Sequence, residues 1–120
     1  MRVLVTGSRT WADENEIAQA LLGVYHHFGP FTLVSGACPQ GADRIAEQVV
    51  EGWGISGMDI ERHPADWDRH GKSAGFIRNQ QMVVSGIDLC LAFIHRGSKG
   101  ASHTARIAKQ AGIPIKEWRR

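Results

Sequence analysis

The alternation of short apolar runs with amphipathic stretches, punctuated each time by glycine, constrains this chain more than any other feature. Val3–Val5 is a β-branched run that stops abruptly on Thr6-Gly7-Ser8-Arg9. Asp13 to Phe28 then places Ile17, Leu21, Leu22, Tyr25 and Phe28 at helical spacing. Asp13 with Glu16 three residues later has the form of a capping box, and Gly29-Pro30 stops the helix. Phe31–Val34 reads as a second strand. Ile45, Ala46, Val49, Val50 and Trp53 lie on one side of a second helix that ends at Gly52–Gly54. Met58–Arg62 is a third, less apolar strand, and His63 to Ser73 is a polar segment without clear periodicity. Ala74 to Val84 reads as a helix, Asp88–Ile94 as a strongly apolar fourth strand, and Ala101 to Ala111 as a helix closed by Gly112. Ile113–Lys116 makes a short last strand, which Pro114 places near a sheet edge.

Strands that alternate with helices and read as continuous apolar runs belong to a mainly parallel sheet covered on both faces. Right-handed crossovers make this a three-layer, doubly wound, Rossmann-like α/β sandwich around five strands. The 120 residues suit one domain. A hydrophobic content of 42% is enough for a real core and argues against disorder.

Several classes fall away on composition. No apolar run approaches the roughly 20 residues that a membrane helix needs. Gly7, Ser8 and Arg9 also cut short any signal-peptide core, so a cytoplasmic protein with no membrane partner is expected. Cys38 and Cys90 lie far apart in no metal-like spacing, which fits two free thiols in a reducing compartment. Among six histidines only His26-His27 are adjacent, and helical neighbours point apart, so neither a metal site nor a cofactor is expected. A net charge of +2 is too small to argue for nucleic acid and suits a small anionic ligand equally well.

In a sheet of this kind, ligands bind outside the carboxyl ends of the strands, where strand order reverses. That edge receives three unusual loops: Gly7-Ser8-Arg9, the stretch from Ser35-Gly36 to Gly41-Ala42-Asp43, and Gly97-Ser98-Lys99-Gly100. Each carries glycine, which lets backbone approach a ligand closely. Each precedes a helix, whose free N–H groups and dipole favour negative charge. Ser8, Ser35 and Ser98 add hydroxyls, and Arg9 and Lys99 add cations, a set suited to phosphate. Neither G-x-x-x-x-G-K-[ST] nor G-x-G-x-x-G occurs, which argues against an ATPase and against ordinary dinucleotide binding. A bare turn would explain any one loop; three on one edge point to an anion or nucleotide crevice.

The stretches VTGSRTWAD, LVSGACPQGADRIA, AGFIRNQQMV and HRGSKGASHTARIAKQAGIPI, in order and spanning nearly the whole chain, resemble the SLOG superfamily. That superfamily groups the cytokinin-activating LOG enzymes with the Smf/DNA-processing-protein-A Rossmannoid domains. The resemblance implies a nucleotide-binding Rossmannoid fold. It also implies a role as nucleotide phosphoribohydrolase, as sensor of nucleotide-derived signals or as single-strand DNA binder, and association into a homo-oligomer. LOG-type hydrolases carry R-K-x-x-M before strand four and P-G-G-x-G-T-x-x-E after it. Here Arg78 and Met82 match the first motif, while Asn79 stands in place of its lysine. The second motif's glutamate falls on Thr104, which cannot serve as the carboxylate that helps break an N-glycosidic bond.

At residue level, Arg78 is expected to fork its guanidinium onto phosphate oxygens rather than stay solvated or pair along its helix. Asn79 either holds a ribose, orients a loop, or is a helix-surface amide. Asp43, in the first turn of the second helix, complements the dipole. At a crevice it could also bond a ribose or act as general base. Arg9 reads as a ligand contact, although a salt bridge to Asp43 would also satisfy it. Trp67, with Lys72 nearby, forms a rim that stacks a base and steers phosphate, or else packs a loop onto the domain; base stacking is worth about 1–3 kcal/mol. Trp11 and Trp118 raise the same question more weakly, and Trp53 reads as core. Cys38 near a helix N-terminus and His103 near Thr104 are weaker candidates for a nucleophile and an acid–base group.

The leading expectation is a binding module or sensor. It holds a nucleotide or nucleotide-derived ligand through Gly7, Ser8, Arg9, Ser35, Gly36, Gly41, Ala42, Asp43, Trp67, Lys72, Arg78, Asn79, Gly97, Ser98, Lys99, Gly100 and Thr104. The alternative is a nucleotide N-glycosidase acting on nucleoside monophosphates, with Arg78 and Asp43 as its catalytic residues, or His103 in place of Asp43. Single-stranded nucleic-acid binding ranks third, because no long basic stripe with interleaved aromatics is present.

Overall fold

The computed structural model describes residues 1–120. β1 (Arg2–Gly7), β2 (Thr32–Ser35), β3 (Asp59–Arg62), β4 (Leu89–Ile94) and β5 (Ile115–Arg119) form one all-parallel sheet in the order β3-β2-β1-β4-β5. The α/β, Rossmann-like expectation is borne out. α1 (Glu14–Phe28) and α2 (Ala42–Trp53) cover one face, and α4 (Ala74–Val84) and α5 (Lys99–Gln110) cover the other.

The strand side chains alternate between two cores. Val3, Val5, Leu33, Leu91 and Phe93 pack with Ile17, Leu21 and Val24 of α1 and with Ile45, Ala46 and Val50 of α2. Leu4, Val34 and Cys90 pack on the opposite face with Met82 and Val83 of α4, and Ala92 and Ile94 pack against Ala101 and Ala105 of α5. A fully buried leucine, isoleucine or phenylalanine contributes about 1.5–3 kcal/mol. Burial also pushes the Cys90 thiol up to about 12, which makes it an inert core residue.

Some boundaries move, each for a local reason. Asp13 caps α1 from outside, its carboxylate accepting the Glu16 N–H at 3.0 Å. The reciprocal half of the capping box is absent because the Glu16 carboxylate pairs with Arg120 instead. The segment from His63 to Ser73 holds a short helix, α3 (Trp67–His70), capped by the Asp66 carboxylate at 3.1 Å, and then a 3-10 turn. Four residues are too few to show a hydrophobic period. β5 runs later than Ile113–Lys116, since its ladder begins where the Pro114 carbonyl accepts the Cys90 N–H at 2.9 Å. No helix is long and apolar enough to cross a membrane.

Strand order reverses between β1 and β4. β1 hands the chain to α1 on one face, and β4 hands it to α5 on the other. Adjacent strands whose loops diverge leave a crevice between them.

Candidate functional site

That crevice is a cavity of about 570 Å³, walled by the loops after β1, β2 and β4 and by α3 and α4. The size lies within the usual range for small-molecule sites, about 300–1,000 Å³. Four cationic side chains, Arg9, Lys72, Arg78 and Arg96, line it together with one carboxylate, Asp43. None of the four makes a salt bridge.

Arg78 is the most constrained of them. It lies on α4 and is half-buried; its Nη1 donates to the carbonyls of Gly36 and His63, the latter at 3.2 Å. Its Nε donates to Asn79 Oδ1 at 2.7 Å, and Nη2 makes no bond within the chain. Burial depresses its pKa and nearby Arg9 adds to that, while Asp43 and Cys38 act against it. The result is a fixed, partly desolvated guanidinium with one free fork.

Gly36 makes this arrangement feasible. A Cβ there would sit 2.8 Å from Arg78 Nη1 and 2.9 Å from Asp43 Oδ2. Asp43 is only 7% exposed, and its Oδ2 accepts the Cys38 N–H at 3.2 Å. Burial pushes its pKa up to about 6, with Glu47 adding to the rise and the Cys38 N–H and Arg78 opposing it. Gly41, with φ of +72°, precedes α2 and lies so close to the Ser8 carbonyl and the Arg9 backbone that a side chain would collide with both. The Ala42 N–H donates to the same Ser8 carbonyl at 3.2 Å, so the first and second loops are clasped together.

The third wall is α5. Its N-cap, Ser98, makes no side-chain capping bond, and Ser98, Gly100 and Ala101 line the cavity. Arg96 and Gly97 both adopt positive φ, +52° and +62°, which brings Arg96 to the wall. At the other side Trp67, 52% exposed, and Phe76 present aromatic faces.

Of the residues singled out in the sequence, Gly7, Ser8, Arg9, Gly36, Cys38, Asp43, Trp67, Lys72, Arg78, Asn79, Ser98 and Gly100 line this cavity. Ser35, Gly41, Ala42, Gly97, Lys99 and Thr104 do not. The Ser35 hydroxyl is buried and donates to Glu47 Oε2 at 2.7 Å. Gly41 and Ala42 are occupied by the clasp, and Gly97 and Lys99 are exposed outside the cavity wall. Thr104 is fully buried, its hydroxyl donating to the Gly100 carbonyl at 3.2 Å. Even Ser8, which touches the cavity, has its hydroxyl engaged: it accepts the His95 N–H at 2.8 Å and donates to the His95 carbonyl at 3.4 Å. Arg9 makes no salt bridge to Asp43. Asn79 is buried and holds Arg78 rather than lying on the helix surface. Trp11 is 3% exposed and meets Phe93 edge-on at 5.3 Å, Trp118 stacks on Phe93 at 4.6 Å, and neither lines the cavity. His103 packs edge-on against Phe76 at 4.8 Å, outside the cavity wall, and burial lowers its pKa.

Met82, matched in the sequence only as a motif position, also lines the cavity, while Thr6, Thr10, Gly75, Phe76, His95, Arg96 and Ala101 are wall residues that the sequence reading did not include. Helical phase could have found part of this set, because Gly75, Phe76, Asn79 and Met82 recur at spacings that share one face of α4. His95 and Arg96 directly follow the fourth strand, where the reversal of strand order puts the crevice.

Residues 1–70, which span β1 to α3, match the family model described as YspA, cpYpsA-related SLOG family. The gene 61 protein of Mycobacterium phage D29 is 44% identical over 119 residues, covering 95% of this chain and 93% of the phage protein. No solved structure matches the chain.

Proposed function

Because the chain belongs to the YspA, cpYpsA-related SLOG family, whose membership suggests nucleotide-related binding or processing, we propose that it holds a nucleotide or nucleotide-derived ligand in this cavity as a sensor or binding module. The phosphate lies toward Arg9, Arg78, Arg96 and the amino end of α5, and the base lies against Trp67. One observation carries the reading: four cations converge on one cavity without an ion-pair partner of their own. A hydrogen bond to a charged group contributes about 1.5–3 kcal/mol, and a helix N-terminus adds about 0.3–1 kcal/mol to an anion beside it. Calorimetric titration of the purified protein with nucleoside mono-, di- and triphosphates and ADP-ribose is expected to give heat and a thermal shift. Silence across that panel in both measurements would remove the reading.

Turnover, as a nucleotide N-glycosidase, is the second reading, and Asp43 is the observation in its favour. A buried carboxyl with a pKa near 6 can pass a proton at neutral pH. Against it stands Thr104, which leaves no carboxylate at the position matching the LOG glutamate. Free base released from nucleoside monophosphates by the wild type but not by Asp43→Asn would establish it.

A further inference from the structure

The sheet carries a second cavity, of about 540 Å³, on the face that α1 and α2 cover. It shares no residue with the crevice and lies toward the amino ends of the strands, between the carboxyl half of α1 and β5. An all-parallel sheet is ordinarily covered on both faces, and β5 meets that need on one side only. Its Ile115 packs under α5. Its Lys116 and Trp118, in register with Leu91 and Phe93, point to the α1 face instead and line the cavity. On the α1 side the wall is low, formed by Ala20 and Gly23, and a Cβ on Gly23 would meet nothing within 4 Å. Beside this recess stand two apolar side chains left in water, Phe28 at 55% and Met1 at 42% exposure.

The charges of this face point to its occupant. Asp88 and Lys116 both line the cavity and are exposed, yet neither makes a salt bridge with the other or with any other group. Asp88 is held in place by the Arg2 N–H, which donates to its Oδ2 at 2.7 Å. A recess, an apolar projection beside it and an unpaired charge of each sign make a surface complementary to itself. Around a two-fold axis each feature of one copy meets its opposite on the other, and every contact occurs twice. We propose that this face is the contact surface of a homodimer, in which Phe28 of each copy enters the recess of the other and Asp88 of each pairs with Lys116 of the other. The proposal uses no residue of the crevice and stands independently of the nucleotide reading.

Sedimentation velocity and light scattering of the purified chain at micromolar concentration are expected to show a dimer. Gly23→Gln places a longer side chain in open space on a helix, which leaves folding intact or favours it. By filling the recess it is expected to raise the dimer dissociation constant about 10-fold or more. Asp88→Lys and Lys116→Asp each set like charges against one another at both pairs of the interface. Each variant alone is expected to be monomeric, and an equimolar mixture of the two to form a mixed dimer, because both pairs are then restored. Urea melts confirm that the variants are folded. A monomeric wild type overturns the proposal. A Gly23→Gln dimer as tight as the wild type overturns its placement on this face, and two folded charge variants that stay apart when mixed overturn the pairing of Asp88 with Lys116.

Discussion

Two half-buried arginines on the same face of the sheet have been handled in opposite ways. Arg2, at the start of β1, donates to the carbonyls of Ser85 and Gly86 and pairs with Glu61. Arg78, at the carboxyl edge, donates to the carbonyls of Gly36 and His63 and forms no salt bridge. The neighbouring acids differ in the same sense. A hydrogen bond from His63, followed by Arg2, holds Glu61 below the usual carboxylate range, whereas burial lifts Asp43 to about 6. His63 joins the two neighbourhoods, its ring bonded to Glu61 at 2.7 Å and its carbonyl to Arg78. One arginine is a closed structural unit; the other holds its charge open to a cavity.

The largest expected consequence is a stability profile with a reversed slope. Asp43 has an unfolded value near 3.8 and a folded value near 6, so between those limits the native state binds the extra proton. Stability is expected to rise as pH falls from about 6 to about 4, by about 3 kcal/mol from this group. From their unfolded value near 4.5 downward, Glu61 and Glu117, both depressed in the fold, oppose that rise and then turn the curve downward. Urea melts across pH 3–8 check this, and in Asp43→Asn the rise should disappear. A wild-type curve that falls steadily from pH 6 would show that the Asp43 neighbourhood resembles that of Glu61 after all.

Arg78→Ala comes next. It is expected to weaken nucleotide binding about 10- to 100-fold, measured by titration. Gly36→Ala sharpens the same point by steric means, since the added methyl must displace Arg78 or Asp43. It should cost about 1–3 kcal/mol in a urea melt and weaken the ligand as well. The smallest effect belongs to Arg2→Ala, expected to lose about 1 kcal/mol of stability with affinity within about twofold of wild type. If Arg2→Ala harmed binding as much as Arg78→Ala, the contrast between the two sites would be false.

The fold was legible because its signals are local: each apolar run, helical period and glycine stop lies within a few residues. The crevice was legible from topology, and Arg78 from a motif. The hydroxyls were not. Ser8 is engaged by His95, 87 residues away, and Ser35 by Glu47 across the β2–α2 turn, so residue type alone could not tell a donor free for a ligand from one already engaged. Thr104 likewise turns back on its own helix. Arg96 escaped notice because it reaches the wall through a positive φ that its side chain does not favour. The Trp67 segment was picked out by composition, while its short capped helix became visible only in three dimensions.

The pinning of Ser8 to His95 joins chain segments made at opposite ends of synthesis. A fragment ending at residue 70 would carry Arg9, Gly36 and Asp43 yet lack α4, β4 and α5, and with them the greater part of the enclosure. On the nucleotide proposal, occupancy would report on the intact polypeptide: a guest that binds only the finished fold would stabilise it increasingly with its concentration, and a single proteolytic cut in the middle of the chain would be expected to weaken binding and protection together.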